Sequence, residues 1–472
     1  MTVISNKAGA LLNKHAVLLL IVLLGAGLRS HDLFERSLWY DEVFSVSVSD
    51  PSYSLSAVFD LTVNDVHPPF YQILLWLVHK VFGFGEHVGR ALSAILGVAI
   101  IPSIYMLGRR LFNEHAGLIA ALLSAVNFML VAESKEARSY SLLVLLVIWS
   151  FLAFIKMVER KNPGSIFIYA AIAAMLVNTH YFGFFPVMTH FILFVIFCAR
   201  SGFNKRLFMA GAVAGLFVLG SILPLTYHVV QNFGRTGTWI PKPATDFVVN
   251  AFVLQFGDTS VVVICLFFLV LGLGALLRAE DKSDALKVVL LWCFLGFSIA
   301  YVRSVLATPI LSFKNTIVFA PALIVLVSYG FSLVRDNFVR WLLLTFVCVM
   351  SVAYLFSDPD YSKLKIPHDL RAPLLKISSN KAGWPVYGGE IYSDYVRILH
   401  LPLHIESYEV LEAKLMANTI TPCFYVLDDR FWPYQKHLNV ELVERTSFEN
   451  NFLSVFRVKG EADCKLSSTA FP

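Results

Sequence analysis

Charge is scarce in this chain: of 472 residues, only 15% are Lys, Arg, Asp or Glu. A soluble globular domain carries about a quarter. So few ionisable groups would leave most of a water-facing surface uncovered, which excludes a soluble enzyme. A hydrophobic content of 57% excludes a disordered scaffold. Cysteine is scarce as well. Six of them cannot staple a disulfide mini-protein of this length, and no spaced Cys/His set has the form of a zinc site. No phosphate-cradling glycine loop is present, which argues against a nucleotide-driven machine. The net charge of +5 is small and dispersed, with no basic face, so a nucleic-acid partner is excluded. No period of roughly 20–50 residues recurs along the chain.

What is plentiful is apolar sequence in long runs. Forty phenylalanines and a mean hydropathy of +0.67 point to an α-helical polytopic membrane protein. A helix crosses the hydrocarbon core with roughly 20 apolar residues. Runs near 12–28, 88–108, 116–132, 140–157, 165–180, 183–199, 207–228, 258–277, 285–302, 314–333 and 340–356 supply eleven such spans. No small-residue cleavage site follows the first run before Arg29, so it is read as a retained helix rather than a signal peptide.

The turns between the runs carry basic residues unevenly. Lys7 and Lys14, Arg109 and Arg110, Arg160 and Lys161, and Arg200, Lys205 and Arg206 mark alternate loops. Arg278 with Lys282, then Arg335 with Arg340, continue the pattern. The positive-inside rule places these loops and the N-terminus in the cytoplasm, and eleven crossings leave the C-terminus outside. The apolar segment Pro68–Phe84 would reverse that parity if it crossed, so it is read as a short helix in the outer interface or a partial insertion.

Three polar regions are then extracytoplasmic: Arg29–His87, Val229–Gly257 and the tail after Ser357. The chain divides into a membrane domain, 1–356, with a catalytic outer loop at 29–87, and a small α/β domain, 357–472. In the tail, Trp384–Gly389, Cys423–Asp428 and Phe452–Val458 read as strands, and Ile391–His400 and Val410–Ala417 as helices. Cys198, Cys265, Cys293 and Cys348 lie in spans as packing residues. Cys423 and Cys464 stand outside, where a disulfide is chemically permitted.

Residues able to carry chemistry collect at the outer ends of the spans. Adjacent carboxylates, Asp41 and Glu42, follow the first span within Ser37–Phe44. Like charges so close to a membrane are costly, which suits a general base or cation ligand; a hydrated loop with an aromatic anchor is the plain alternative. His67 precedes Pro68 and Pro69, which hold it extended at a helix start, itself also an ordinary structural device. Arg90, Arg138, His180 and Lys314 all fall on the outer side of the bilayer under this topology, with Tyr140 and Tyr181 beside two of them. Single cations at span ends are ordinarily snorkelling anchors. Their convergence on one face favours binding of a lipid-borne sugar phosphate, its charge neutralised by Arg and Lys while a carboxylate takes the proton of an acceptor hydroxyl.

With these residues in view, the sequence resembles the GT-C superfamily of polytopic glycosyltransferases. Within it, the chain is most similar to the family-39 group of protein O-mannosyltransferases and lipid A aminoarabinose transferases. The likeness rests on YDEVFS at 40–45, DVHPPF at 65–70, GRALSA at 89–94, GRRLF at 108–112 and EARSYSLL at 136–143. It covers roughly the first 145 residues by motif, the later spans by hydropathy, and the tail hardly at all. The resemblance implies that Asp41 acts as catalytic base or orients the acceptor, with Glu42 in support. It implies that Arg90 and Arg138 bind the donor phosphate, and that His67 occupies the His-Pro-Pro position. Many relatives carry Arg-Tyr where this chain has Lys314-Asn315; Lys keeps the charge but loses the bidentate fork, so Lys314 stands third, after Arg90 and Arg138, among the donor-phosphate ligands. Tyr140, His180 and Tyr181 are second-rank candidates to line the sugar site. The large lumenal insert of the eukaryotic mannosyltransferases is absent, so a protein acceptor does not follow from the family name.

The expectation is a plasma-membrane enzyme that moves a sugar from a polyprenyl-phosphate donor to an outer lipid, glycan or protein hydroxyl, inverting the anomeric carbon. No cofactor is required. Asp41, Glu42, His67 and Glu136 leave room for a divalent metal without a ligand spacing that demands one. A transporter or flippase of lipid-linked sugars and a glycan ligase or polymerase stand as alternatives. The almost wholly apolar span centres count against transport.

Overall fold

A computed structural model describes residues 2–65, 67–200, 204–234, 240–358, 361, 368–379, 383–437, 439–460 and 464, with 2–14, 232–234, 281, 283 and 435 by backbone alone. Val66 of the His-Pro-Pro motif and part of the Val229–Gly257 loop therefore lie outside the described residues. The chain forms two compact units. One comprises Met1–His31, Ser54–Leu74 and Arg90–Leu364; the other comprises Asp32–Tyr53, Leu75–Gly89 and Lys365–Pro472.

The first unit is helical because its apolar runs must satisfy their own backbone where no water is available. Each of the eleven runs coincides with a helix or a helix pair. Among the described residues, eight helices are long and apolar enough to cross a membrane, from Glu86–Leu111 to Asn337–Ser357. A ninth span results if Glu114–Val126 and Phe128–Ser134, bent by 57°, are counted together. The other two runs fall on shorter apolar helices, His15–Ser30 and Pro163–Val177. Phe70–Phe82 is a helix of 13 residues, about 20 Å long at 1.5 Å per residue and short of a core about 30 Å thick.

The basic turns share one end of this bundle. Arg110 pairs with Glu159, and Arg200 with Asp284 at 2.6 Å. These contacts join turns that the charge pattern assigns to one side. Deep in the bundle, backbones approach at glycine: a Cβ on Gly272 would lie 2.7 Å from the carbonyl oxygen of Leu326, and one on Gly330 would collide with that of Phe268. Small residues at such crossings let membrane helices pack closely.

The second unit is α/β. Its five strands are β1 (Val386–Tyr387), β2 (Ile405–Glu406), β3 (Cys423–Leu427), β4 (Val440–Phe448) and β5 (Asn451–Val458), in the order β2-β1-β3-β5-β4. β1 pairs in parallel with β2 and β3, whereas β5 runs antiparallel to β3 and β4. β3 is buried along its whole length, as expected of a central strand covered on both faces. Tyr387, Leu411, Leu415, Phe424, Val426, Trp432, Val440 and Phe456 form its core. Cys423 and Cys464 are joined by a disulfide, with their Cα atoms 5.8 Å apart. The helices read from the sequence at Ile391–His400 and Val410–Ala417 are Glu390–Ile398 and Tyr408–Met416. The segments 32–53 and 75–89 belong to this unit, so the Asp41-Glu42 pair is structurally part of it.

Candidate functional site

In the second unit, Asp41 and Glu42 occupy the first turn of a nine-residue helix, Tyr40–Val48. Carboxylates are favoured there because unsatisfied N–H groups and the helix dipole present positive charge. Glu42 is fully buried, and its Oε2 accepts the backbone N–H of Trp39 at 3.4 Å. That bond closes the start of the helix. Asp41 stays partly exposed on the adjoining position, and its carbonyl accepts the Ser45 hydroxyl at 2.9 Å. One carboxylate therefore builds the helix while its neighbour stays partly exposed.

In the first unit, the break between Glu114–Val126 and Phe128–Ser134 falls at Asn127. The Asn127 side chain caps the second helix through Leu130 N–H at 3.0 Å and donates to the Gln255 carbonyl at 2.6 Å. The carbonyls freed at the end of the first helix are met by Arg29. Its Nη1 donates to Ala125 and Gly25 at 3.1 Å, its Nη2 to Ser124 at 3.2 Å and its Nε to Ser134 Oγ at 3.2 Å. A Cβ on Gly97 would collide with Ser134 Oγ and lie 3.1 Å from Arg29 Nε, so glycine makes the room for this contact. Sequence reading placed Arg29 at the membrane boundary; the structure buries it completely.

Directly after this broken helix comes a charged turn. Glu133, Glu136 and Arg138 are all nearly inaccessible. Lys314 Nζ lies 2.8 Å from Glu136 and 3.4 Å from Glu133, and 5.8 Å from the centre of the Tyr140 ring. Arg138 Nη2 is 3.0 Å from His67 Nε2. An arginine always donates, so His67 accepts there and is neutral. Burial first, then the Arg138 charge and His180, hold His67 well below the usual histidine value. His180 is lowered to about 3 by burial and by Arg138. The His180 ring lies 5.7 Å from Tyr140 and 6.5 Å from His67, and its Nδ1 accepts Phe182 N–H at 3.1 Å.

Arg90 is buried one turn before Ser93, on the same helix face. Ser93 Oγ donates to the Arg138 carbonyl at 3.3 Å and meets the Tyr71 hydroxyl at 3.2 Å. The first unit thus gathers His67, Arg138, Tyr140, His180 and Lys314, with Arg90 on a helix tied to the same turn. Tyr181 follows His180 in a 3₁₀ turn, Tyr181–Gly183, with intermediate exposure. Glu133 joins the set as a residue that sequence reading had not ranked, although its place in an acidic run after an apolar span was a signal.

Among the described residues no group of three or more His, Cys, Asp or Glu side chains is arranged to hold a metal ion. The carboxylates of Glu133 and Glu136 are matched by Lys314 rather than aimed jointly at a cation. This donor set does not fit a metal, and no step below runs through one.

A family model for dolichyl-phosphate-mannose-protein mannosyltransferases matches residues 66–228. ArnT from Cupriavidus metallidurans superposes with a TM-score of 0.64 at 14% identity, covering 95% of this chain and 98% of that one. The chain carries the GT-C fold. The same ArnT solved with undecaprenyl phosphate gives a TM-score of 0.62 at 14% identity, over 97% and 99% of the two chains. The archaeal oligosaccharyltransferase AglB from Archaeoglobus fulgidus, in complex with an inhibitory peptide and a dolichol-phosphate, gives 0.57 at 13% identity, over 88% of this chain and 69% of that one. No curated protein matches. The GT-C architecture recognised from the five motifs is thus borne out over nearly the whole length, including the tail that the motifs did not reach. With its many apolar helices, the GT-C chain is a multi-pass membrane protein.

Proposed function

We propose that this GT-C protein transfers a sugar from a polyprenyl-phosphate donor to a hydroxyl acceptor at the outer face of the plasma membrane. The observation that carries the reading is the buried cationic turn: Arg138 held against a neutral histidine, with Arg90 on the adjoining helix and the whole set at the end of the bundle opposite the basic turns. Two buried arginines brought to one turn suit the negative charge of a phosphate diester, and ArnT and AglB, which share the fold, were each solved with a polyprenyl or dolichyl phosphate.

In this reading Arg90 and Arg138 bind the phosphate. Lys314 orders Glu133 and Glu136 and thereby the turn that carries Arg138, with His67, Tyr140, His180 and Tyr181 along the sugar. Asp41 takes the acceptor's hydroxyl proton as that oxygen forms a bond to the anomeric carbon. The bond from the anomeric carbon to the phosphate oxygen breaks, and polyprenyl phosphate leaves with the electron pair. The configuration inverts because attack is in line. No nucleotide or redox partner is needed, since a charge-stabilised phosphate is a competent leaving group. Positive-inside bias puts the N-terminus in the cytoplasm and the α/β unit outside.

The test is turnover by purified protein in lipid with a panel of polyprenyl-phosphate sugars and an envelope extract as acceptor, following release of polyprenyl phosphate. Wild type should release it with one sugar, and Asp41→Asn should reduce the rate by at least about a thousandfold while the protein still inserts and folds. Full activity in the folded Asp41→Asn variant would refute the assignment.

A further inference from the structure

The Tyr40–Val48 helix has nine residues, and an isolated helix shorter than about 12–15 residues is marginal in water. Its geometry, and with it the direction of Asp41, must come from what it packs against. Within the second unit that neighbour is the Glu390–Ile398 helix, whose polar residues address both ends of the shorter one.

At the leading end stands Tyr395, which is fully buried. Its hydroxyl accepts Leu38 N–H at 2.9 Å, lies 3.3 Å from Ser37 Oγ and donates to Glu86 Oε2 at 2.8 Å. Arg371 completes the knot: Nη1 is 3.3 Å from Glu86 Oε1, and its backbone N–H donates to Ser37 Oγ at 3.1 Å. At the trailing end stands Arg397. Its Nη2 donates to Ser47 Oγ at 2.7 Å, and its Nη1 reaches Asp50 and, at 3.0 Å, the Tyr53 hydroxyl. Asp394 holds the same guanidinium at 3.0 Å. An arginine is well placed at a helix C-terminus, where the carbonyls are unsatisfied. At the first residue of the helix, Tyr40 donates to Asn451 Oδ1 at 3.4 Å and packs edge-on against His368.

We infer that Tyr395 and Arg397 are positioning residues for the transfer reaction, clamping the Tyr40–Val48 helix at both ends and so fixing where Asp41 points. The inference rests on the proposed role of Asp41. Neither residue touches Asp41; they act through the helix that carries it. The α/β unit is then a jig for the base. A displacement of about 1 Å at a reacting group costs up to a hundredfold in rate.

The experiment measures the single-turnover rate constant with enzyme in saturating excess over donor, which reports on the folded fraction alone. Arg397→Gln should lower it about tenfold or more, with the donor half-saturation unchanged within about twofold, because the proposed phosphate ligands lie elsewhere. Arg397→Lys should recover part of the loss, since it keeps the charge but not the fork. Tyr395→Phe removes one hydroxyl and should slow the step severalfold, which keeps the inference testable if Arg397→Gln fails to fold. Wild-type rate constants in folded Arg397→Gln and Tyr395→Phe would overturn the clamp. Asp41→Asn is measured alongside: its inactivity with unaffected clamp variants refutes the clamp alone, whereas its full activity refutes the role of Asp41 and the clamp with it.

Discussion

At the scale of single residues, the buried charges around Arg138 make the site sensitive to acid. Unfolded, a histidine takes its proton near pH 6.5. Folded, His180 resists until about 3, because burial and the Arg138 guanidinium oppose the charge, and His67 is lowered for the same reasons. Between those values the unfolded chain binds more protons, so stability falls as the pH drops through this window and is unaffected above it. At pH 5, His180 alone accounts for a loss of about 2 kcal/mol. Melting of the purified protein should therefore decline between pH 7.5 and 5. In His180→Asn, which keeps an acceptor for Phe182 N–H, the decline should be visibly shallower. An equal pH dependence in variant and wild type would remove His180 from the explanation. Lys314 illustrates a different point. Sequence reading gave its charge to the donor phosphate, while its nearest charged neighbours are Glu136 and Glu133. Nothing in the local sequence around Lys314 announces carboxylates that lie 178 and 181 positions earlier in the chain.

At the scale of elements, what was legible follows from pattern length. Apolar runs of span length are self-announcing, and each of the eleven coincides with helix. The break at Asn127 inside the run 116–132 was not legible. An asparagine within an apolar stretch reads as a tolerated polar residue until its caps and Arg29 are in place. Likewise, β1, β3 and β5 fall on the stretches read as strands, while β2 spans only two residues and β4 alternates with charge. A two-residue strand such as β2 has no periodicity to read, and β4 lies at the edge of the sheet, where exposure permits Glu441, Glu444 and Arg445. Crossings of helices were also silent, since glycine is common in spans for several reasons. The crossing of Thr259–Arg278 with Ala320–Ser332 is a case that can be tested. Gly330→Ala would drive a methyl group into the Phe268 carbonyl, whereas Gly274→Ala, with open space around it, would not. The first should cost about 1–3 kcal/mol or more by overpacking and the second almost nothing, read as melting shifts of the purified variants. Equal shifts would mean that the crossing adapts.

At the scale of the whole molecule, the disulfide and the assembly of the second unit matter most. Cys423 and Cys464 close a loop with a sequence separation of 41, for which chain entropy gives about 2–4 kcal/mol of stabilisation. Replacing both by serine should lower the melting temperature of the α/β unit, followed by its tryptophan fluorescence, while leaving the helical signal in place. An unchanged melt would show that the sheet needs no such tether. The composition shift after residue 356 reads as a separate tail, whereas the last segment of the α/β unit begins at Lys365 and the unit also takes in 32–53 and 75–89. Those segments hold the short Tyr40–Val48 helix and the latter part of the apolar Phe70–Phe82 helix, and their partners are encoded more than 300 positions later. That distance sets an order of events during biosynthesis. A ribosome adds roughly 5–20 residues per second, and domains fold as their sequence emerges. The loop bearing Asp41 thus leaves the ribosome some tens of seconds before Tyr395 and Arg397 exist. A nascent chain, or one cut short by a premature stop, inserts its helices with the carboxylate helix unsupported. With Asp41 in its proposed role, the chain gains its working geometry only once translation is complete.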